Sequence, residues 1–303
     1  FDIVHQLNMV GYREPGFLWK IKKPFVWGPI GGTENVPWKL FSLFDFYGKI
    51  FYGLRNLINT YQKTTLIRPR LSAQKKKSTL IAATPDIQKS IYNLWRKKSV
   101  IITEVGTVDL PEITVNKRDE KEPLKIVWSG QHTPGKALNI LLKSLSLLEK
   151  NVKWELHILG KGKETKKWQK LAKKLKIQEH CLWYGWVEKE IAFDVMKEAH
   201  TLVITSLKDL TSTVIIEGIS LGLPVVTLDH CGFSYVIDDS CGIKIPVDEP
   251  RKVFINVKNA INKLYKYENY RVKLAYGALK RAQDFSWERK IEKLNTIYKN
   301  LLA

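Results

Sequence analysis

From residue 125 onward, short unbroken apolar runs alternate with amphipathic stretches. KIVWSG (125–130), WELHILG (154–160), CLWYG (181–185), TLVITS (201–206) and PVVTLD (224–229) read as strands. ALNILLKSLSLLEK (137–150), the Lys-rich segment 164–176 and IAFDVMKEA (191–199) carry apolar residues at helical spacing. Strands that are apolar throughout are buried on both faces. Their alternation with helices predicts a doubly wound parallel α/β sheet.

Residues 1–105 are less regular. FDIVHQ, PFVWG (24–28), and segments near Leu80–Ala83 and Val100–Thr103 read as strands, with a glycine turn PIGG (29–32) and a long helix between them. This resembles the second half of another α/β domain, so on the order of 60–90 residues, about two βαβ units, are expected before Phe1. The chain also begins without Met and inside a strand. The polar, proline-punctuated stretch 106–122 reads as a linker. The expected division is therefore a truncated Rossmann-like domain at 1–105, the linker at 106–122, a second Rossmann-like domain at 123–280, and a C-terminal segment at 281–303 that crosses back to the first domain.

Residues 39–62 form an amphipathic pattern, with Leu40, Leu43, Phe44, Tyr47, Phe51, Leu54, Leu57, Ile58 and Tyr61 on one stripe. Phe41, Phe46 and Tyr52 fall outside it, near Lys39, Lys49 and Arg55. Two readings stand: a helix buried on two sides, or one whose aromatics and lysines face a membrane interface.

The 303 residues suffice for two domains with cores of their own. Three cysteines, Cys181, Cys231 and Cys241, give neither a disulfide framework nor zinc spacing, which favours a reducing compartment. No apolar run is long enough to span a bilayer, and no signal peptide is visible, so a cytoplasmic protein, peripheral at the inner face of the membrane, is expected. The formal net charge is +20. Residues 37–100 hold thirteen Lys or Arg and two acids, which reads either as a surface for anionic lipid or polyanions or as a solvated lysine face.

Three turns follow strand ends, where open parallel sheets bind ligands. In SGQHTPGK (129–136), Gly130 permits close approach, and Lys136 at a helix start suits a phosphate. In SLKDLTSTVIIEG (206–218), Thr211, Ser212 and Thr213 suit an N-cap. The free N–H groups of that helix suit a diphosphate, and Glu217 suits a ribose diol, unless it only complements the helix dipole. In YGW (184–186), Gly185 admits a flat group, and backbone at Trp186 and Val187 suits a base edge, though Trp186 also suits plain packing. Gly160-Lys161-Gly162 lacks the third glycine of a dinucleotide fingerprint. Asp238-Asp239 reads as a turn, and no metal site is expected.

The order and spacing of KIVWSGQHTPGKALNILLKSLSLL, LHILGKGKE, LWYGWVEKE and SLKDLTSTVIIEGISLGLPVVTLDHCG resemble the nucleotide-binding domain of GT4-type glycosyltransferases, which are retaining enzymes of GT-B fold. DIVHQLN and PFVWGPIGGTENVPW resemble a bacterial subgroup that makes surface polysaccharides. The resemblance implies an α/β GT-B architecture of two Rossmann-like domains, the first truncated. It implies transfer of a hexose-type sugar from a nucleoside-diphosphate sugar, with retention by front-face attack, to a glycan or lipid-linked acceptor. No cofactor or metal and no nucleic acid are expected as partners. The family's Glu-x7-Glu motif places Glu217 on the donor ribose and Asp209, one methylene shorter than usual, facing the sugar. Lys136 matches the family's phosphate lysine, whereas Gln131 stands where Arg is usual. Lys136, Asp209 and Glu217 are the expected catalytic residues, with Gly130, Gln131, Trp186, Val187, Thr211, Ser212 and Thr213 completing the donor site. Gly31, Gly32 and His5 are expected on the acceptor side, with Ile30 near the place where many relatives carry a His. The rival readings are a GT-B nucleotide-sugar epimerase, a phosphorylase (for which no phosphate or pyridoxal site is found), and a non-catalytic nucleotide- or polyanion-binding fragment.

Overall fold

A computed structural model describes residues 1–7, 10–107 and 114–303; positions 108–113 of the expected linker lie outside the described residues. The chain divides into two compact units: Phe1–Val36, Ile50–Val108 and Phe285–Ala303 form one, and Pro37–Lys49 and Asp109–Asp284 form the other.

In the first unit, β1 (Val4–Gln6), β2 (Phe25–Ile30), β3 (Ser78–Ala82) and β4 (Ser99–Ile101) lie parallel in chain order. Phe25, Val26, Trp27, Leu80 and Ile81 are buried, as unbroken apolar strands require. β2 runs to Ile30, so Pro29 and Ile30 belong to the strand rather than to the expected turn. Gly28 adopts φ 141°, and a Cβ there would sit 2.3 Å from the Ile81 carbonyl oxygen, which is why no side chain fits. Between β2 and β3 run α1 (Phe46–Thr65) and α2 (Ile67–Ala73). α3 (Pro85–Trp95) follows β3; the Thr84 hydroxyl accepts from Ile87 N–H at 3.3 Å, Pro85 opens the first turn, and Arg96 at φ 53° ends it.

α1 is turned the opposite way from its apolar pattern. Tyr52, Asn56 and Asn59 are buried, whereas Phe51, Leu54, Leu57, Ile58 and Tyr61 of the expected stripe are exposed. The inward asparagines satisfy backbone that has no strand partner. Asn56 donates to the Val36 carbonyl at 2.9 Å and accepts from the Val36 N–H at 3.0 Å. The Asn59 amide donates to Thr33 and Glu34 carbonyls and to Asn35 Oδ1, while its oxygen accepts from Tyr12 and Arg13. Buried backbone groups must find partners, and this ladder outweighs the apolar stripe in choosing the inward face. The one helix expected over 39–62 is also broken: Trp38–Leu43 forms a 3₁₀ segment before α1 starts.

In the second unit, β5 (Leu124–Ser129), β6 (Trp154–Leu159), β7 (Cys181–Gly185), β8 (Thr201–Ile204), β9 (Val225–Leu228) and β10 (Gly242–Ile245) form one parallel sheet in the order β10-β9-β8-β5-β6-β7. The connecting helices are α4 (Leu138–Leu145), α5 (Thr165–Lys174), α6 (Lys189–Lys197), α7 (Thr213–Ser220) and α8 (Phe233–Val236), followed by α9 (Pro250–Lys266) and α10 (Glu268–Ala282). The winding reverses between β5 and β8, where Ile126 pairs with Thr201 and Val127 with Leu202. This doubly wound topology is the one expected from the sequence. Residues 37–49 belong to this unit: Leu40 and Phe44 are buried, Asn139 donates to the Leu43 carbonyl at 3.3 Å, and Lys167 donates to Asp45 at 2.9 Å.

The last helix, α11 (Trp287–Leu302), belongs to the first unit. Its Ile297 packs with Val26, Ile81 and Ile102, and its Lys290, 4% exposed, donates to the Thr103 carbonyl at 3.1 Å.

Candidate functional site

The point where the winding reverses is where ligands enter open α/β sheets, because the crossovers on either side leave a crevice beyond the strand ends. Two loops meet there. The loop after β5 turns through the 3₁₀ segment Pro134–Lys136 and enters α4 with Ala137 at φ 48°. The loop after β8 is stitched to it: Leu207 N–H donates to the Gly135 carbonyl at 2.7 Å, and the Thr205 hydroxyl donates to the Ala137 carbonyl at 3.0 Å. This stitching brings Lys136 onto Asp209, whose Oδ2 accepts from Nζ, while Asp209 Oδ1 accepts from Leu210 N–H at 3.0 Å. Both side chains are partly buried, at 24% and 17% exposure. Lys136 also lies over the preceding glycine, since a Cβ on Gly130 would sit 3.7 Å from the lysine Cδ. The cation therefore stands between the backbone of the β5 turn and the carboxylate of the β8 loop.

Beside this pair opens a cleft of about 490 Å³, lined by residues that include Gly130, Gln131, Gly160, Lys161, Trp186 and Val187. It exists because three turns pack backbone to backbone. Gly130 N–H donates to the Leu159 carbonyl at 3.1 Å, and Gly160 N–H donates to the Gly185 carbonyl at 2.7 Å. Gly160 adopts φ 108°, and a Cβ there would lie 2.1 Å from the Gly130 oxygen. A Cβ on Gly162 would likewise lie 2.5 Å from the His132 carbonyl oxygen. His132 locks the far side: its N–H donates to the Lys161 carbonyl at 3.1 Å, its carbonyl accepts from Glu164 N–H at 3.1 Å, and Nδ1 pairs with the Thr165 hydroxyl at 2.8 Å. Burial against Trp128 and Trp168 lowers the His132 pKa to about 4, so the ring is neutral at ordinary pH. Gly185, by contrast, has open space where its Cβ would be.

The third component is the start of α7. Ser212 stands at the N-cap with φ 71°, a left-handed conformation that costs a non-glycine residue about 1–2 kcal/mol. Its side chain does not cap the helix. Thr211 is fully buried and Thr213 is exposed. Ser212 thus does not supply the side-chain cap that the sequence suggested, and the positive end of a helix start of this kind favours an anion. Glu217 follows in the second turn. Burial raises its pKa, and the charge of Lys189, at the start of α6, opposes that rise. Lys189 stands one turn before Ala192, which lines the cleft.

The structure therefore gathers Gly130, Gln131, Trp186 and Val187 in one cleft, joins Lys136 to Asp209 at its edge, and sets Glu217 within electrostatic reach of α6. Lys161 and Lys189 were not singled out from the sequence. The available signals were the turn Gly160-Lys161-Gly162, set aside for its missing third glycine, and a lysine at a helix start after YGW. In the first unit, Gly31 and Gly32 follow β2; Gly32 adopts φ 83°, and the Gly31 carbonyl accepts from Tyr12 N–H at 3.1 Å. His5 is committed within the fold. Nε2 donates to the Gly28 carbonyl at 3.0 Å, which leaves Nδ1 to accept from the Tyr298 hydroxyl at 2.7 Å. Among the described residues, no group of three or more His, Cys, Asp or Glu is placed to hold a metal ion, and no helix is long and apolar enough to cross a membrane.

Comparison with known proteins bears on the fold and on the family. The lipopolysaccharide 1,6-galactosyltransferase of Escherichia coli (strain K12) is 25% identical over 153 residues, 49% of this chain and 42% of that protein. The chain thus spans half the length or less of the curated relatives it matches. Among solved structures, the lipopolysaccharide outer core galactosyltransferase WaaB in its apo form superposes with a TM-score of 0.68 at 14% identity, covering 94% of this chain and 77% of that one. Anabaena Alr3699/HepE in complex with UDP and glucose superposes with a TM-score of 0.62 at 16% identity, covering 91% and 72%. These likenesses establish the two-domain parallel-sheet fold of GT-B glycosyltransferases. The family model of glycosyl transferases group 1 matches residues 111–281, more than half the chain, and the protein belongs to that family.

Proposed function

We propose that the second unit binds a nucleoside-diphosphate sugar across the ends of β5 and β8, and that the protein transfers the sugar with anomeric retention to a glycan or lipid-linked acceptor in polysaccharide or glycolipid biosynthesis. The observation that carries this reading is the Lys136–Asp209 pair at the winding reversal, beside the Gly130–Trp186 cleft and an uncapped helix start. In this arrangement the base lies in the cleft against Trp186 and Val187. The ribose diol donates to Glu217, which accepts no hydrogen bond from another described side chain. The diphosphate takes the open N–H groups of α7 and displaces the Lys136 ammonium from Asp209, freeing that carboxylate for the sugar.

Chemistry then rests on the leaving group. As the bond from the anomeric carbon to the diphosphate oxygen breaks, negative charge grows on that oxygen, and preorganised cations and N–H groups stabilise it. Lys161, in the same cleft as Gln131, supplies the second cation that the missing arginine would have given. These groups balance the charge of the diphosphate, and no metal enters the proposed reaction. UDP is the first donor nucleotide to try, because HepE was solved with it. Incubation with UDP-hexoses in EDTA, with and without acceptor lipid extracts, tests the reading. Nucleotide release and a glycosylated product that depend on acceptor support it. An altered sugar nucleotide formed without acceptor would instead indicate an epimerase.

A further inference from the structure

We propose that the pocket between α4, α5 and the 37–49 segment binds a phosphate monoester carried on an apolar body, at a site distinct from the donor cleft. The pocket holds about 360 Å³, within the range of small-molecule sites. All of its walls belong to the second unit. Among the described residues it shares no lining side chain with the Gly130–Trp186 cleft, although Pro134 stands in the 3₁₀ segment that ends at Lys136. Its floor is apolar: Phe44 and Trp168 are buried, and Leu171 follows Trp168 by three residues on α5. Asn139 of α4 holds the 37–49 segment in place by donating to the Leu43 carbonyl at 3.3 Å.

Charge decides the ligand. The pocket is lined by four lysines, Lys143, Lys167, Lys170 and Lys174, and by two acids, Asp45 and Glu164. Lys167 takes both acids, at 2.9 Å and 3.3 Å. Lys143, Lys170 and Lys174 form no ion pair among the described residues, so four cations against two anions leave an excess of two positive charges. Lys143 is half-buried. Burial, and after it the charge of Lys174, lower its pKa, and the Phe254 ring centroid 5.2 Å from its ammonium does not cancel its charge. A cation drawn out of water beside a second cation is costly, and an anion seated with them removes that cost. The cations also select the anion. Lysines are compact point charges, whereas the planar fork of arginine is what suits a carboxylate. A phosphate monoester carries about −1.5 to −2 at neutral pH, which matches the excess. Lys167, Lys170 and Lys174 recur at three- and four-residue spacing, which puts them on one side of α5, whereas Lys166 and Lys173 are exposed and do not line the pocket.

Ligand-observed NMR titration with phenyl phosphate, inorganic phosphate and phenol, at about 0.15 M NaCl, tests this without nucleotide. Phenyl phosphate is expected to bind about tenfold more tightly, or better, than either of the other two. Lys143→Ala/Lys174→Ala should weaken it by about tenfold or more and keep the melting temperature, because it takes a half-buried cation from beside another. Lys170→Glu, at an exposed position, gives the same loss and serves if the double variant does not fold. Lys166→Glu/Lys173→Glu, on the same helix but outside the pocket, leaves binding within about twofold, which separates a built site from general attraction to a lysine-rich surface. The pocket variants keep their nucleotide affinity, so the outcome is independent of the transferase reading. Phenyl phosphate that does not bind, or binds no better than inorganic phosphate, overturns the proposal. So does an equal loss in Lys166→Glu/Lys173→Glu, or binding that Lys136→Ala abolishes and the pocket variants leave unchanged, which puts the ligand in the donor site.

Discussion

The Lys136 ammonium rests on the Asp209 carboxylate, joining the turn after β5 to the loop after β8 at the reversal of the sheet. The two side chains satisfy each other's charge, so under the proposed function each must exchange its partner for the donor. Removing one should release the other rather than destroy the fold, because both remain partly exposed. We expect Lys136→Ala to lower transfer by about 10²–10³-fold, the effect of losing one group that stabilises a leaving anion. Asp209→Asn should leave nucleotide affinity within about threefold while lowering turnover. Steady-state kinetics beside calorimetry separates the two.

Glu217 should oppose stability with function. Burial raises its folded pKa above the ordinary 4.5, so the folded state holds the proton more tightly than the unfolded state. Its contribution to stability is therefore greatest at pH below 4.5 and is lost as pH rises through the raised value. Glu217→Gln should accordingly melt higher than the parent at neutral pH while binding nucleotide more weakly. Nucleotide affinity of the parent should itself fall as pH drops through the raised pKa. Melting curves and titrations across this range check both signs.

His132 and His200 titrate in the other direction. Burial lowers each to about 4, so both are neutral in the fold and take up protons on unfolding. The stability they contribute is present above the ordinary value of 6.5 and is lost as pH falls toward about 4. His132→Phe keeps the aromatic contacts with Trp128 and Trp168 and should flatten the loss of melting temperature between neutral and acid pH.

Two glycines of the cleft should respond differently to the same substitution. Gly160→Ala drives a Cβ into the Gly130 carbonyl, and backbone cannot yield as a flexible side chain would. It should cost more than about 2 kcal/mol and weaken nucleotide binding. Gly185→Ala meets nothing within 4 Å and bears only the strain of φ 71°, about 1–2 kcal/mol. Denaturant melts rank the two.

α1 offers a test of what chooses a helix face. Asn56→Leu would improve apparent amphipathicity, yet it leaves the Val36 N–H and carbonyl unpaired. The expected loss is about 1–3 kcal/mol per stranded group. Leu57→Asn, on the exposed face, should be neutral within about 0.5 kcal/mol.

That helix also shows where sequence reasoning stops. The strands of the second unit were legible because runs such as KIVWSG and TLVITS admit only burial on both faces. The family resemblance singled out Lys136, Asp209 and Glu217, and the topology explains why Lys136 and Asp209, so far apart in the chain, meet at the reversal of the sheet. The stripe on α1 was legible as a stripe, but periodicity is silent on which side faces the core. The choice fell to hydrogen bonds with the 33–36 backbone, which no pattern of apolar positions encodes. The break at Phe44 and Asp45 was hidden for a related reason: Phe44 is buried and Asp45 pairs with Lys167, both long-range contacts. Lys161 went unread because its turn was compared with a dinucleotide fingerprint, whereas its glycines are there to let backbone meet backbone.

The donor site is tested most directly by calorimetric titration of this chain and of Glu217→Ala with UDP, GDP, ADP, TDP and CDP in the presence of EDTA. One nucleotide is expected to bind in about the micromolar range, and Glu217→Ala to weaken it by about 10–100-fold with the melting temperature maintained. Binding that Glu217→Ala leaves unchanged, or no binding by any of the five, would contradict the donor site assigned here.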